Sequence, residues 1–280
     1  MKRLMIVCPA VLSLWACDKS PARVDLDVPG YVLSSSEVAI KARVATKGGD
    51  PLPDVRPTFT VIPSELAVVT ASGAVRCLKS GDGTLTATAG AATSTESIRC
   101  RLVESLKVPK ALRVMLGNDP VQITGSALDG SGAVLQDVPF QFESSNPGVF
   151  TLQGMQIVPM AVGTASLKYI VGEKTASVPV TVVRKIKTEP LLLNDGNRVS
   201  WSLNQGKYEI ETKVRSANGS EHGVTVAWVG GSSDCKNAPE SQEILSRCSI
   251  ENTGSVVIEN PSTFGMGPAA DGVVAIYEVP

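Results

Sequence analysis

The sequence repeats itself at an interval of about 80 residues, and this repeat constrains the fold more than any other feature. Four segments of the first copy match four segments of the second copy in the same order. The matched segments are 54–59 with 137–142, 63–70 with 145–151, 73–75 with 154–157, and 83–87 with 163–167. Because one repeat is about as long as a small domain, we expect at least two copies of one fold.

Short runs along the chain alternate between polar and apolar residues, which is the pattern typical of β-strands. Clear examples are 41–44, 178–182 and 207–214. In the last of these, one face carries Tyr208, Ile210, Thr212 and Val214, and the other carries Lys207, Glu209, Glu211 and Lys213. Turn-forming pairs such as Asp82-Gly83 and Asn218-Gly219 separate the runs. No stretch shows sustained helical spacing, although 240–247 has room for one or two helical turns.

These patterns predict an all-β chain of three tandem β-sandwich domains. We expect a signal segment at 1–16, followed by domains at 17–104, 105–184 and 185–280. Small sandwiches packed with Val, Leu and Ile need few rings, which agrees with an aromatic content of only 4%. Phe59, Phe140 and Phe142 lie in the middle of predicted strands and are the expected core aromatics.

The second copy resembles the bacterial immunoglobulin-like domain of group 2. Phe142, Ser144, the turn Ser145-Asn146-Pro147 and Val149 carry the resemblance, and Gly163-Thr164-Ala165 matches the entry to the next hairpin. The first copy departs from the pattern, with Pro63-Ser64 in place of Ser-Asn-Pro and with Cys77 in place of a small or β-branched residue. The resemblance implies that the domains at 17–104 and 105–184 are immunoglobulin-like.

The third domain lacks the repeated segments and loosely resembles a divergent jelly-roll sandwich or carbohydrate module. Its aromatic residues are Trp201, Tyr208 and Trp228, which we expect in the core. If two of these rings were exposed on one face, they would instead form a platform for a sugar.

The first residues have the features of an export signal: a basic start at Lys2-Arg3 and an apolar run at 4–15. The run is too short to cross a bilayer as a helix, which needs about 20 residues. The tetrapeptide that ends at Cys17 resembles the bacterial lipobox, although Trp15 departs from it. The resemblance implies cleavage before Cys17 and lipidation of that residue, and hence a membrane anchor in the cell envelope. The alternative is a plain signal peptide, and the choice between the inner and outer membrane stays open.

The remaining cysteines suit an oxidising compartment. Cys8 lies in the segment to be removed, which leaves four cysteines: Cys77, Cys100, Cys235 and Cys248. Four cysteines allow three pairings, and proximity favours Cys77 with Cys100 and Cys235 with Cys248. Because there is no C-x-x-C spacing, structural disulfides are favoured over a zinc or redox site.

The net charge and the absence of several sequence motifs exclude some classes of function. A formal net charge of -1 gives no basic face for nucleic acid. The one histidine, His222, falls in a predicted loop and is expected to be solvated, and no G-x-S-x-G or phosphate-binding motif occurs. The loop aspartates Asp50, Asp54, Asp82 and Asp129 lack calcium-site spacing. We therefore expect no cofactor and no metal.

The sequence favours a non-catalytic, lipid-anchored envelope protein whose immunoglobulin-like domains act as spacer and adhesion modules. Its partner, either a protein or a glycan, is not identified by the sequence. The alternative is a carbohydrate-binding accessory protein that acts through the C-terminal sandwich. An enzyme that uses paired carboxylates is a third hypothesis, and it requires a deep cleft.

Overall fold

The computed structural model describes residues 20–70, 73–219 and 221–280, and all the regular elements in these residues are β-strands. The predicted all-β class is confirmed, and the runs 41–44, 178–182 and 207–214 all lie in strands. The prediction that 240–247 has room for one or two helical turns is wrong. These residues belong to two strands, because Ile244, Ser246 and Cys248 alternate into the core.

The strands are numbered in chain order. The first eight are β1 (Arg23–Asp27), β2 (Val38–Ala39), β3 (Lys41–Ala45), β4 (Thr58–Ile62), β5 (Ala67–Val69), β6 (Ala74–Cys77), β7 (Gly81–Ala89) and β8 (Ala92–Cys100). The next eight are β9 (Ser105–Lys107), β10 (Leu112–Met115), β11 (Val121–Gln122), β12 (Ser126–Leu128), β13 (Val134–Leu135), β14 (Gln141–Ser144), β15 (Phe150–Gln153) and β16 (Gln156–Pro159). The last eight are β17 (Gly163–Val171), β18 (Lys174–Leu193), β19 (Arg198–Leu203), β20 (Gly206–Ser216), β21 (Val224–Gly231), β22 (Ala238–Ser241), β23 (Glu243–Glu259) and β24 (Ala270–Val279).

The chain forms two compact units. The first unit comprises the described residues up to Ser105 together with Leu128–Val138. It contains the sheets β4-β7-β8 and β2-β6-β5 and the strand pair β1-β3. Val75 of β6 and Ile98 of β8 are fully buried in one core cluster, so the two three-stranded sheets face each other as a sandwich.

The second unit comprises Leu106–Ala127 and Pro139–Pro280. One of its core regions lies between the sheet β11-β16-β15 and the strands β14, β17, β18 and β10. The other core region is enclosed by β18 to β24. Here β23 pairs with β20 along its first half and with β19 and β21 along its second half, so this one strand belongs to both layers of the sandwich.

Strand β18 runs without interruption between the two core regions of the second unit. Its first part pairs with β17 and its last part pairs with β24, with a bulge between Lys185 and Lys187. Val183, Ala275 and Tyr277 form a small buried cluster of their own beside this bulge. The expected boundary between residues 184 and 185 thus lies inside a strand, and the division into three domains stays a prediction.

Aromatic packing in the repeat differs in detail from the expectation. Phe140 and Phe142 stack on each other and are only half-buried, with ring centroids 5.9 Å apart. Both rings contact Tyr169 edge-on. Tyr169 and Phe150 are the fully buried rings, and the Tyr169 hydroxyl donates to Thr124 O at 3.0 Å. The centre of this core is therefore Tyr169, which alternation along β17 directs inward together with Ala165, Leu167 and Val171.

Candidate functional site

The four cysteines of the described chain form two disulfides, Cys77–Cys100 and Cys235–Cys248. These are the two pairs that proximity favours in the sequence. The first bond connects β6 to β8, and so joins the two facing sheets of the first unit. The second connects the loop after β21 to β23. Cys17, the expected lipid attachment site, lies outside the described residues.

The three aromatic residues of the C-terminal region do not form an exposed platform. Trp228 and Tyr208 are 8% and 6% exposed, and both belong to the core. The Trp228 indole donates to Ser246 Oγ at 2.8 Å. Trp201 is half-buried against the same core, and its Nε1 donates to Glu189 Oε2 at 3.2 Å. These three rings therefore serve packing, as the alternation predicts.

A cleft of about 450 Å³ lies in the second unit between its two core regions. Its lining includes a buried carboxylate, Glu209, held between two guanidinium groups. Arg113 Nη1 and Arg247 Nε each lie 2.6 Å from a different oxygen of Glu209. The Arg113 guanidinium also lies 4.9 Å from the centroid of the Tyr277 ring. Because Glu209 pairs with both cations, we interpret the cleft as a joint between core regions.

A loop at residues 260–268, between β23 and β24, presents two large apolar side chains to solvent. Phe264 is 94% exposed and Met266 is 84% exposed, the two highest values among the exposed large hydrophobic residues of the described chain. The loop reads Asn-Pro-Ser-Thr-Phe-Gly-Met-Gly-Pro and carries no charged residue. Contiguous exposed apolar surface on a soluble protein marks sites of contact with partners.

Asp195 holds this 260–268 loop in place from the turn after β18. Thr263 N–H donates to Asp195 Oδ1 at 2.8 Å, the Thr263 hydroxyl donates to the same oxygen at 2.9 Å, and Gly265 N–H donates to Oδ2 at 2.6 Å. Burial opposes ionisation of Asp195, but hydrogen bonds from Thr263, Gly265 and Gly267 outweigh it and hold the pKa of the carboxyl below its ordinary value. A β-carbon on Gly267 would collide with Thr263 Oγ1 and Asp195 Oδ1, so glycine permits this close approach.

The backbone at Phe264 is strained. Its φ of 60° lies in the left-handed region, which bulky side chains avoid. Such a conformation costs on the order of 1–3 kcal/mol and persists only where the surrounding structure enforces it. The ring of Phe264 is almost fully exposed, so no burial within this chain offsets the strain. The polar contacts of Asp195 therefore maintain a conformation that the loop itself disfavours.

The base of the 260–268 loop rests on His222 and Asn260. Sequence reasoning expected a solvated histidine, but the His222 side chain is only 13% exposed and lies between two acceptors. Its Nδ1 lies 2.6 Å from Glu240 Oε1, and its Nε2 lies 2.5 Å from Asn260 Oδ1. Asn260 is fully buried and donates from Nδ2 to Leu193 O and Pro268 O. The histidine therefore supports the base of the loop through its contact with Asn260.

Two further observations bear on ligands. Among the described residues, no group of three or more His, Cys, Asp or Glu side chains is arranged to hold a metal ion. In the same part of the chain, no helix is long and apolar enough to cross a membrane.

The chain matches no protein-family model and no curated protein. Among solved structures, it is similar to domains 4 and 5 of the S-layer protein SbsC, with 16% identity over 58% of this chain and 98% of that one and a TM-score of 0.27. It spans 37% of a longer SbsC structure that contains domains 1–6. Invasin, a bacterial integrin-binding protein, is 15% identical over 84% of this chain and 54% of its own, with a TM-score of 0.27.

A third similar structure is the Bacteroides ovatus mixed-linkage glucan utilization protein SGBP-B, in complex with a heptasaccharide. It is 12% identical over 91% of this chain and 73% of its own, with a TM-score of 0.29. At these scores the likenesses assign neither a family nor a function to the chain. The candidate site is therefore defined by its own geometry.

Sequence reasoning identified the cysteines but missed the exposed loop. The available signal was the run Phe264-Gly265-Met266-Gly267, in which large apolar residues alternate with glycine. The two glycines favour a turn, and turns lie at the protein surface, where large side chains are exposed to solvent.

Proposed function

We propose that the chain is a non-catalytic interaction module that binds a partner protein through the 260–268 loop. The observation that carries this proposal is the near-complete exposure of Phe264 and Met266 on a loop held by Asp195. A loop whose conformation is fixed in advance loses less conformational entropy when it binds. Large side chains of this kind typically supply most of the affinity when they enter a pocket.

The chemistry of the loop favours a protein over a lipid surface. Segments that lie on membranes combine apolar residues with Lys or Arg, which contact anionic headgroups. The 260–268 loop contains no Lys and no Arg, and the ionised group with which it forms hydrogen bonds is the carboxylate of Asp195. A neutral apolar protrusion on an acidic support matches an apolar pocket in a protein.

We further propose that Cys17 carries the lipid that ties the chain to the cell envelope, and that the repeated immunoglobulin-like domains, which resemble group 2, act as a spacer. The support is the lipobox-like sequence before Cys17 and the paired repeats. Processing that is blocked by globomycin and by Cys17→Ala is the expected result. Normal processing in both cases contradicts the anchor.

A retention experiment tests the interaction. Purified chain is applied to envelopes from cells that lack the protein, and the retained fraction is measured for wild type and for Phe264→Ser/Met266→Ser. The matched control is Met155→Ser/Met160→Ser, which removes two methionines that are 51% and 53% exposed elsewhere in the second unit. We expect the loop variant to lose about tenfold or more in affinity and the control to bind as wild type.

Enzymatic treatment of the envelopes distinguishes the partner class. Protease treatment should abolish retention if the partner is a protein. Retention that survives protease but is lost after glycosidase treatment would instead support the carbohydrate-binding alternative. Equal losses in the loop variant and the methionine control would refute a role for the loop.

A further inference from the structure

The two ring nitrogens of His222 both face hydrogen-bond acceptors. On one side is the Glu240 carboxylate, whose Oε1 also accepts from Gly223 N–H at 3.1 Å. On the other side is the side-chain oxygen of Asn260. A carboxylate oxygen cannot donate, so Nδ1 must carry the proton of the first contact.

The orientation of the Asn260 amide is fixed by its other contacts. Its nitrogen donates to Leu193 O at 2.8 Å and to Pro268 O at 3.1 Å. Both partners are main-chain carbonyls, which only accept, so the nitrogen must be on that side of the amide. The oxygen therefore faces His222, and Nε2 of the ring must also donate.

A ring that donates from both nitrogens is an imidazolium. If the ring loses one proton, a nitrogen lone pair faces either the Glu240 carboxylate or the Asn260 oxygen, and one of the two bonds is lost. Histidine is the side chain whose charge changes near neutral pH. The two hydrogen bonds of the His222 ring are therefore complete only when both nitrogens carry protons.

Most of the charged groups near the ring are negative. Glu240 contacts it from β22, Glu221 precedes it in the chain, and Glu259 precedes Asn260 at the end of β23. Asp195 lies in the turn whose Gly196 N–H donates to Asn260 O. Arg198, a cation, pairs in register with Glu259. The charged groups around the ring are therefore mainly carboxylates.

The same asparagine closes the base of the 260–268 loop. Asn260 begins the loop and Pro268 ends it, and the bond from Asn260 Nδ2 to Pro268 O joins the two ends. Asn260 is fully buried, so its side-chain oxygen depends on His222 for its bond. A change in the protonation of His222 is thus transmitted directly to the support of Phe264 and Met266.

We propose that the second proton on His222 closes the base of the 260–268 loop. It follows, resting on the proposed function, that the loop binds its partner most tightly on the acid side of neutrality. The loop also needs Asp195 to be ionised, since that carboxylate accepts hydrogen bonds from Thr263 and Gly265. Mildly acidic solution, in which Asp195 is ionised and His222 is protonated, satisfies both requirements.

The chain contains one histidine, which makes a direct test possible. In protein produced without a histidine tag, nitrogen–proton NMR correlations of the imidazole report the protonation of Nδ1 and Nε2. We expect both nitrogens to be protonated at pH 5.5. A single neutral tautomer at that pH would overturn the proposal.

Hydrogen exchange tests the link to the loop. The amides of Gly265 and Met266 are followed at pH 5.5 and pH 8.0, and each rate is compared with that of an unstructured peptide at the same pH. We expect protection to fall about tenfold at pH 8.0 as a bond to a charged group is lost. The variant His222→Gln, which does not titrate, should show no such change.

Equal protection of wild type at the two pH values would refute the proposal. A fall in protection at pH 8.0 in His222→Gln as large as in wild type would refute it as well. Glu173→Gln, which removes an exposed carboxylate in the turn between β17 and β18, is the control and should behave as wild type. If His222→Gln does not fold, the imidazole spectrum and the exchange of wild type still decide the question. These measurements need no partner, so a failure of envelope retention with a normal pH response would refute the proposed function alone.

Discussion

Arg113 Nη1 lies 2.6 Å from Glu209 Oε1, so an arginine beside one core region of the second unit is paired with a carboxylate beside the other. Arg113 lies on β10, which pairs with β18, and Glu209 lies on β20, which pairs with β24. Arg247 holds the other oxygen of the same carboxylate. The three side chains lie on β10, β20 and β23. Strand β20 pairs with β23, whereas β10 pairs with β18, so the ion pairs link β10 to strands outside its own ladder.

Glu209→Gln should destabilise the second unit by about 2 kcal/mol, because it leaves Arg113 without its buried partner. Arg247→Gln should cost less than about 1 kcal/mol, since the Arg247 side chain is 70% exposed and its charge is screened by solvent. Trp201 and Trp228 both lie in this unit, so tryptophan fluorescence during urea unfolding follows it. Equal costs for the two substitutions would contradict the argument from burial.

The alternation along β20 predicted its inner face correctly, since Tyr208, Ile210, Thr212 and Val214 are all buried. It did not reveal the burial of Glu209, which lies on the opposite, charged face of the strand but is only 3% exposed. The reason is that Arg113 covers it from a strand far away in the sequence. Periodicity records which face a residue takes within its own strand, whereas burial of that face depends on what packs over it.

Thr212→Val should stabilise the second unit by about 1 kcal/mol. Thr212 is 1% exposed, and within the described part of the chain its Oγ1 is a buried side-chain atom with no hydrogen-bond partner. Replacing the hydroxyl with a methyl group of similar size removes the cost of burying an unpaired polar atom. The midpoint of urea unfolding by tryptophan fluorescence measures the change, and Thr225→Val, whose hydroxyl bonds to Glu259 O, should not stabilise.

Removal of either disulfide should cost about 3 kcal/mol, because each closes a loop in the unfolded chain, of 23 and 13 residues. Cys235→Ser/Cys248→Ser should lower the transition seen by tryptophan fluorescence. Cys77→Ser/Cys100→Ser should leave that transition unchanged, since Trp201 and Trp228 lie in the other unit, and should lower a separate transition seen by circular dichroism. A shift of the fluorescence transition by the Cys77 pair would show that the two units unfold together.

Phe264→Gly should raise stability and weaken partner binding at the same time. Glycine adopts a φ of 60° without strain, and the exposed ring contributes no burial to the fold. We expect a gain of about 1 kcal/mol, reduced by the greater freedom of glycine in the unfolded chain. Thermal unfolding measures the first effect and envelope retention the second. A destabilised variant would show that the ring packs against its own chain.

The 260–268 loop should lose its order in acid. Because the pKa of Asp195 is lower in the folded chain than in the unfolded one, its ionised form contributes stability above the unfolded value of about 4, and this contribution is lost as the pH falls through the folded pKa. Protection of the Gly265 amide should therefore fall below about pH 4 in wild type. Asp195→Asn should show weak protection at every pH. Full protection of wild type at pH 3 would contradict the role of the carboxylate.

The candidate site was beyond the reach of sequence patterns for a physical reason. Asp195 bonds to residues 68 and 70 positions later, and His222 bonds to a residue 38 positions later. Such contacts arise where strand ends meet, and neither spacing nor composition records which ends do so. The cysteine pairs were easier because each closes a short loop, which makes proximity in sequence a guide to proximity in space.

The unbroken course of β18 has a mechanical consequence. A pull along the chain near residue 184 is borne at once by the ladder with β17 on one side and the ladder with β24 on the other. No slack segment lies between them to extend first, and the hydrogen bonds of both ladders are loaded in shear along the strand. The second unit therefore resists extension along β18, because both of its ladders must be sheared together.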